Sequence, residues 1–545
     1  MHVPATLGAA HEGVVLPYNP LTDPMTERRL PTSLQIFLLL ISYITLGIGQ
    51  TSPAETGLAP SQTRQAASLP KSGAPSAQKP GTTSSHRLPA FASRMVCAPC
   101  IRAHMQFLAS DALRGRGSGT PDELIAATYI GAQLEQYGLQ PAGDNGTFIQ
   151  RAEFVQPQLK SAPTLTYQTP GDGKPAEIVH WSYGKEMLVR YMPSLKFHGP
   201  LKRVDSEAAD PASLKLERGM VVLVLGKNDE KVRGVISAAM EQGAVAVLTV
   251  APERYSKTWE ERGKELPKPP RRIEGDTHPA FGEEYGDILM LSEDALAQLH
   301  DVPDGTTFTF EAEAAPTEKS YTWNAVGKIA GSDPALRASV ILLTAHLDHL
   351  GVGAAVNGDS IYNGADDDAS GTTAVLELAR AIAVGPRPRR TVIFALFGSE
   401  EAGGLGSTWF REHPPVPLKE IAANLEFEMI GRPDPKYPKD VLWLTGWERS
   451  NLGPALAAHG AKLVADKRPE EQFFRRSDNY VLAKKGVVAQ TVSSFGLHAD
   501  YHQPSDDLAH IDFAHMTSAI GSLIRPVEWL LNSNFRPEWK TGGRP

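Results

Sequence analysis

Residue types that bind metals follow directly after two long apolar runs in the second half of the chain. The run VILLTA at 340–345 is followed by HLDH, and the run TVIFALF at 391–397 is followed by GSEE. Continuous apolar runs of this length are typical of parallel strands that helices cover on both faces. In open α/β sheets, ligands bind beyond the carboxyl ends of the strands. The sequence therefore predicts an α/β fold with a mostly parallel central sheet flanked by helices, and a site at that edge.

A third acidic cluster, Asp366, Asp367 and Asp368, precedes a helix predicted over 368–384. Acidic residues are favourable at helix N-termini, so one such cluster alone usually indicates a solvated cap. Three clusters at successive strand ends of one sheet instead favour a metal site. The chain has two cysteines, Cys97 and Cys100, so the ligands must be His, Asp and Glu rather than a cage of thiolates.

The composition excludes several classes of protein. Hydrophobic residues make up 41% and charged residues 21%, which fits neither a fully disordered chain nor a membrane protein with many spans. The net charge of −8 lacks the basic footprint of a nucleic-acid-binding protein. Between Cys97 and Cys100 the spacing leaves both a small-loop disulfide and two free thiols open.

The N-terminal part indicates export. Residues 34–49 form an uncharged apolar run preceded by Arg28 and Arg29, which is typical of a secretory signal peptide and is shorter than the roughly 20 residues that span a bilayer. We expect a signal peptide or N-terminal anchor over 1–50, with Met25 as an alternative start, and a disordered linker over 51–95. An extracytoplasmic location, periplasmic or secreted, follows, with membrane contact only through an uncleaved N-terminal segment.

Five motifs occur in a fixed order along the chain: HLDHLG, NGADDDASG, FGSEEAGGLGS, FEMIGR and YHQPSDD. Together they resemble the co-catalytic zinc aminopeptidase family that includes bacterial leucyl aminopeptidases and the glutamate carboxypeptidases. The resemblance implies a peptidase domain in two parts, 96–190 and 320–540. The segment 191–319 between them contains a strand, helix and strand across 220–250 and resembles a protease-associated domain.

The resemblance also implies roles for individual residues. Two Zn²⁺ ions would share one carboxylate, and the peptide bond after that aspartate would be cis. An adjacent glutamate would act as general base, and a further aspartate would orient a histidine ligand. These roles fall on the zinc ligands His346, Asp367, Glu401, Glu428 and His502, the general base Glu400 and the orienting residue Asp348.

One ligand position departs from the family's common pattern. The family usually has an aspartate before Met-Ile-Gly, where this chain has Glu428. Glu426 lies two residues earlier and is the alternative ligand, although the register favours Glu428. The Tyr-His-x-Pro-x-Asp frame selects His502 over His498 and His510.

The expected function is therefore hydrolysis of the N-terminal peptide bond of peptides by a water that two metal ions activate. Peptides are the expected partners. A carboxypeptidase on the same site is one alternative and would need a basic residue for the substrate carboxylate, for which Arg432, Arg475 and Arg476 are candidates. A glutaminyl cyclase, usually with one zinc, and a receptor-like binding module without enzyme activity are the others, and the filled ligand positions disfavour both.

Overall fold

The computed structural model describes residues 93–168, 177–274 and 286–545, all of which belong to one compact unit. The predicted signal segment over 1–50 and nearly all of the linker over 51–95 lie outside these ranges. Among the helices of the described ranges, none has both the length and the apolar character that crossing a bilayer requires.

Strands follow one another through 149–205 and 307–362, and helices and strands largely alternate from Gly371 onward. The first strands are β1 (Gln140–Pro141), β2 (Ile149–Val155), β3 (Gln158–Leu159), β4 (Thr164–Gln168), β5 (Ile178–Ser182), β6 (Met187–Tyr191), β7 (Lys196–Asp205), β8 (Val221–Leu225), β9 (Ala246–Val250), β10 (Arg272–Ile273), β11 (Asp287–Leu291), β12 (Thr307–Glu311) and β13 (Ala314–Ala315). They are followed by β14 (Lys319–Ile329), β15 (Val340–His346), β16 (Gly351–Val356), β17 (Asp359–Tyr362), β18 (Val392–Phe397), β19 (Ile421–Phe427), β20 (Leu442–Leu444), β21 (Leu463–Ala465) and β22 (Val488–Ser493). The α-helices are α1 (Ala98–Leu108), α2 (Pro121–Gln136), α3 (Asp229–Glu241), α4 (Glu253–Ser256), α5 (Trp259–Arg262), α6 (Glu293–Gln298), α7 (Gly371–Val384), α8 (Leu405–Glu412), α9 (Leu452–Ala458), α10 (Asn479–Lys484) and α11 (Phe513–Asn532).

The larger sheet has the strand order β10-β2-β14-β18-β15-β19-β22-β20-β21, with β1 paired to β14. Its centre is parallel from β18 through β15 and β19 to β22. Towards one edge, β2, β14 and β18 pair antiparallel. After β2 the chain leaves this sheet, and it returns as β14, which lies antiparallel beside β2. Neighbouring antiparallel strands need no crossover connection within the sheet. The α/β class is confirmed, and the sheet is mixed: its centre and the edge pair β20–β21 are parallel, and the remaining pairs are antiparallel.

The two apolar runs of the sequence form the buried middle of this sheet. Every residue of β15 and of β18 is buried. Helix α7 packs against them, and twelve of its fourteen residues are buried. Because both strands are covered on both faces, they hold the loops that follow them in fixed positions.

A second sheet has the order β5-β4-β12-β7-β8-β9-β11-β6 and its own apolar core. We call residues 164–311, which form it, the insert. The expected strand, helix and strand are β8, α3 and β9, with the two strands parallel. The sheet already includes β4, β5 and β6, so it begins at Thr164, earlier than the boundary at 191 that the sequence indicated. These strands pair only within the second sheet, which is why they belong to the insert.

Part of the charged segment at 252–274 joins the larger sheet. Strand β10 within it pairs with β2 of the larger sheet. Pro269 and Pro270 just before that strand are buried. The loop therefore leaves the second sheet and attaches to the first.

Cys97 and Cys100 form a disulfide at the start of α1. The backbone N–H of Cys97 donates to the buried Glu377 Oε1 of α7 at 2.6 Å. Glu377 in turn pairs with the buried Arg380 at 2.7 Å, so the start of α1 is anchored to the helix that follows the acidic loop.

We predict that the free energy of unfolding falls between about pH 7 and about pH 5 because of His104. This buried residue lies between the hydroxyls of Tyr129 and Tyr137, at 2.8 and 2.9 Å from its ring nitrogens. Burial, helped by the charge of Arg380, lowers the pKa of His104 from 6.5 to about 4. The unfolded chain therefore binds a proton at this histidine that the folded chain does not bind. This difference lowers the free energy of unfolding by about 2 kcal/mol over this range.

Urea denaturation at both pH values checks this prediction. The variant His104→Gln should show a weaker pH dependence than the wild type, whereas His198→Gln, at an exposed position, should not. An equally steep dependence in His104→Gln would contradict the assignment.

Candidate metal centre

Three neighbouring strands of the larger sheet end where the polar motifs begin. β15 ends at His346, β18 ends just before Gly398, and β19 ends just before Glu428. Because β15 is parallel to both β18 and β19, the three carboxyl ends lie side by side. The sheet thus delivers the loops with the predicted site residues to one edge.

The structure brings these side chains into two groups that share Asp367. The first contains His346, Asp367 and Glu428, and the second contains His349, Asp367 and Glu401. Within each group, the atoms that could bind a metal lie within 4.8 Å of one another. His346 Nε2 is 3.1 Å from Asp367 Oδ1, and His349 Nδ1 is 2.8 Å from Glu401 Oε1.

Two histidines lie at the second group: His349 belongs to it, and His502 lies next to it. His502 Nε2 lies 3.3 Å from Asp367 Oδ2 and 3.3 Å from Glu401 Oε2, close to the place that the resemblance implied. His349 was not expected there. The signal that could have found it is its position three residues after His346, in the loop that directly follows a buried strand.

The donor atoms of both groups fit a divalent metal ion. The ring nitrogens of His346 and of His349, and Glu428 Oε2, are buried and make no hydrogen bond of good geometry with the described residues. Buried polar atoms are nearly always hydrogen-bonded, unless they serve another purpose such as binding a metal. Histidine nitrogens with carboxylate oxygens are the ligands that zinc accepts at tetrahedral sites.

The electrostatics of the groups also favour cations. Burial opposes a charge on His346, yet the charge of Glu400 and contacts with Asp348 and Asp367 raise its pKa well above the usual value. Against the effect of burial, the charge of His502 lowers the pKa of Glu401 to about 2. The carboxylates therefore attract positive charge into a site that is almost closed to water.

The three aspartates of the acidic loop have different tasks. Asp366 Oδ1 accepts the N–H of Gly431 at 2.7 Å, and Asp368 Oδ1 accepts the N–H of Met429 at 3.0 Å. Only Asp367 belongs to the two groups, as the resemblance implied, and the peptide bond that follows it is cis. The outer two aspartates fix the loop that carries Glu428.

Asp348 links the first strand end to the second. Its Oδ1 lies 3.6 Å from His346 Nδ1 and accepts the N–H of Glu400 at 2.9 Å. Its Oδ2 lies 3.4 Å from the N–H of Glu401 and accepts the hydroxyl of Ser118 at 2.5 Å. Asp348 therefore holds the backbone of the glutamate pair as well as facing the histidine.

Arg116 holds two site loops from behind, and its role was not visible in the sequence. The fully buried guanidinium donates to the carbonyl of Leu347 at 2.9 Å, of Asn363 at 2.7 Å and of Gly364 at 2.9 Å, and also to that of Leu108. The sequence around Arg116, RGRGSG at 114–119, contains none of the five motifs.

The alternative ligands lie elsewhere. Glu426 accepts hydrogen bonds from the hydroxyl of Ser477 at 3.0 Å and the N–H of Asn479 at 2.6 Å and belongs to neither group. His498 lies 3.0 Å from Asp366 Oδ2, and the exposed His510 lies 2.9 Å from Asp507. The register argument thus selected the glutamate that the structure brings into the first group.

A cavity that is partly open to solvent lies beside the two groups. Most of its lining is polar or charged, and Met429 lines it together with four aromatic side chains: Trp443, Phe473, Phe495 and Tyr501. Of the three candidate arginines, Arg476 lines this cavity, whereas Arg432 pairs with Asp500 at 2.8 Å and Arg475 pairs with Glu241.

The fold and the site together define an α/β protein with a candidate metal centre at the carboxyl edge of its sheet. Residues 324–525 match the model of peptidase family M28. The insert lies outside the matched residues.

Curated relatives match a limited part of the chain. An aminopeptidase of Pseudomonas aeruginosa (strain UCBPP-PA14) is 36% identical over 157 residues, which are 29% of this chain and 25% of that protein. The probable lipoprotein aminopeptidase LpqL of Mycobacterium tuberculosis is 30% identical over 158 residues, 28% of this chain and 30% of that protein. The match thus spans less than a third of the length of these relatives.

Among solved structures, an aminopeptidase from Aneurinibacillus sp. strain AM-1 aligns over 82% of this chain and 97% of its own, with 18% identity and a TM-score of 0.47.

We predict that replacing His502 by alanine affects zinc binding more than replacing His349 does. His502 Nε2 lies 3.3 Å from an oxygen of Asp367 and 3.3 Å from an oxygen of Glu401, whereas His349 Nδ1 lies 3.9 Å from Asp367 and 2.8 Å from Glu401. His502→Ala should therefore lower the bound zinc by about one ion per chain. His349→Ala should retain zinc. Elemental analysis after dialysis measures both variants, with His510→Ala as the control. The reverse pattern would make His349 the ligand.

Proposed function

We propose that the chain is an exported aminopeptidase that uses two zinc ions to hydrolyse the N-terminal peptide bond of peptides. The observation that carries this proposal is the shared Asp367, which belongs to two adjoining groups of metal-binding side chains. The match of 324–525 to a peptidase family and the aminopeptidase relatives support the reaction class.

The proposed ligands are His346, Asp367 and Glu428 for one zinc and Asp367, Glu401 and His502 for the other. When bound, a zinc pair supplies an acidified water and polarises the carbonyl of the peptide bond. The three carboxylates offset only part of the charge of two divalent ions. The remaining positive charge suits an oxyanion that develops during attack on the carbonyl.

Glu400 is the proposed general base. It lines the cavity beside both groups, and Asp348 holds its backbone N–H. Burial raises the pKa of Glu400 well above its usual range, and the charges of Glu428 and Glu401 add to the rise. Cations nearby favour its ionised form and lower that pKa. Glu400 can then take a proton from the water and deliver it to the leaving amine nitrogen.

The aromatic side chains that line the cavity favour substrates whose first residue has a large apolar side chain. A carboxypeptidase remains the second candidate because Arg476 lines the same cavity and could bind a substrate carboxylate. A glutaminyl cyclase with one zinc would leave the shared position of Asp367 without a purpose.

A pair of substrates separates the first two candidates. We expect the enzyme to hydrolyse a dipeptide with a free amino group and an apolar first residue, and to leave its N-acetylated form intact. Hydrolysis of the acetylated dipeptide, lost in the variant Arg476→Ala, would establish the carboxypeptidase instead. Chromatography of the products measures both reactions.

The variant Glu400→Gln tests the mechanism. It keeps the size of the side chain and removes the base, so kcat should fall by roughly 10²- to 10⁴-fold. The zinc content should stay that of the wild type. Glu412→Gln, at an exposed position in α8, is the matched control. Wild-type turnover in Glu400→Gln would remove this residue from the mechanism.

Export and the nature of the insert are part of the proposal. The apolar segment at 34–49 supports export, and the separate sheet and core of the insert support a protease-associated type of domain. Fractionation of cells that express the whole chain should place the activity outside the cytoplasm, and activity confined to the cytoplasm would exclude export.

A further inference from the structure

The short segment from Gly117 to Gly119 lies between two loops of the metal centre. The hydroxyl of Ser118 donates to Asp348 Oδ2 at 2.5 Å, and Gly117 forms a β-bridge with His349. The N–H of Gly119 donates to Glu123 Oε2 at 2.6 Å. This segment therefore touches the loop after β15 directly.

The same segment reaches the loop after β18 through Glu123. This fully buried carboxylate accepts the hydroxyl of Ser399 at 3.1 Å and that of Thr322 at 2.6 Å. Ser399 directly precedes Glu400 in the chain, and Asp348 accepts the N–H of Glu400. The position of the segment thus bears on both loops that carry the proposed base and ligands.

One side chain from the insert holds this segment from the other side. Arg271 lies in the loop that carries β10, directly after the buried Pro269 and Pro270. Its Nη1 donates to the carbonyl of Ser118 at 3.3 Å. Its guanidinium carbon lies 5.6 Å from the ring centre of Phe154 in β2. The insert therefore reaches the rear of the metal centre.

The charges agree with this contact. Burial raises the pKa of Glu123 well above its usual value, and the charge of the buried Asp348 adds to the rise. Burial lowers the pKa of Arg271, while the charges of Glu123 and Asp348 act in the opposite direction. The guanidinium thus interacts electrostatically with two buried carboxyl groups, and this interaction favours the charged form of each.

We propose that Arg271 is a positioning residue of the metal centre, through which the insert fixes Ser118 and Asp348 and hence the backbone of Glu400 and Glu401. The insert is then a structural part of the catalytic machinery. This proposal rests on the proposed peptidase function.

Kinetics of the full-length zinc enzyme test the proposal. Removing a residue that holds a metal-site residue from behind typically costs 10- to 100-fold in activity. In Arg271→Ala we expect kcat to fall by roughly 10- to 100-fold, with KM within about twofold of the wild type. Arg271→Lys, which keeps the charge, should recover part of the loss. Arg272→Ala, at the next residue of the chain, is the matched control and should resemble the wild type.

A double-mutant cycle separates positioning from general destabilisation. Ser118→Ala removes the hydroxyl that binds Asp348. If Arg271 acts through Ser118, the double variant Arg271→Ala/Ser118→Ala should lose much less kcat than the product of the two single losses. Losses that multiply would overturn the proposal, as would wild-type kcat in Arg271→Ala. If Arg271→Ala does not fold, the same cycle with Arg271→Lys decides in the same way.

The two proposals fail differently. An inactive wild type with zinc bound would contradict the peptidase function itself. An active wild type with an unchanged Arg271→Ala contradicts only the positioning role.

Discussion

Asp367 is the residue on which the arrangement of the site depends, because one carboxylate serves two groups of metal-binding side chains. A single side chain can do this only if its own loop and the loops that face it are held closely. Asp506 accepts the backbone N–H groups of Asp366 and Asp367 at 3.0 Å. Asp368 and Asp366 bind the loop after β19. The acidic triplet is therefore one functional carboxylate between two structural ones.

The buried polar residues around the site explain how charged loops are stable at the end of an apolar sheet. Each loop has a buried partner whose hydrogen bonds are directed at backbone groups, as Arg116 binds four carbonyls and Asp348 binds two N–H groups. Unpaired buried polar groups are costly, so these partners determine a single loop arrangement. The histidine nitrogens left without good hydrogen bonds stand out against that background and point to a metal.

Much of the fold and part of the site follow from local patterns. The runs at 340–345 and 391–397 are apolar throughout, so they could be recognised as covered strands, and the residues after them had to meet at one edge. The antiparallel strands next to them could not be recognised, because β2 and β14 lie far apart in the chain and pair only in the folded state. In the same way, β4, β5 and β6 lie before residue 191 and join the second sheet only in the folded state.

At the site, residues within the motifs were accessible and residues outside them were not. His349 lies inside HLDHLG and could have been considered. Arg116, Ser118 and Glu123 act through contacts over more than 200 positions of sequence, which no spacing reveals. Arg271 lies in a charged segment of the sequence that contains no motif. Only the pairing of β10 with β2 in the folded state brings it close to the metal centre.

The most direct test of the account is a crystal structure of the zinc-loaded protein with anomalous diffraction at the zinc edge. The account predicts two peaks about 3.5–4 Å apart, one on each side of the Asp367 carboxylate. A single peak, or a peak beside Glu426 with Asp367 unbound, would contradict it.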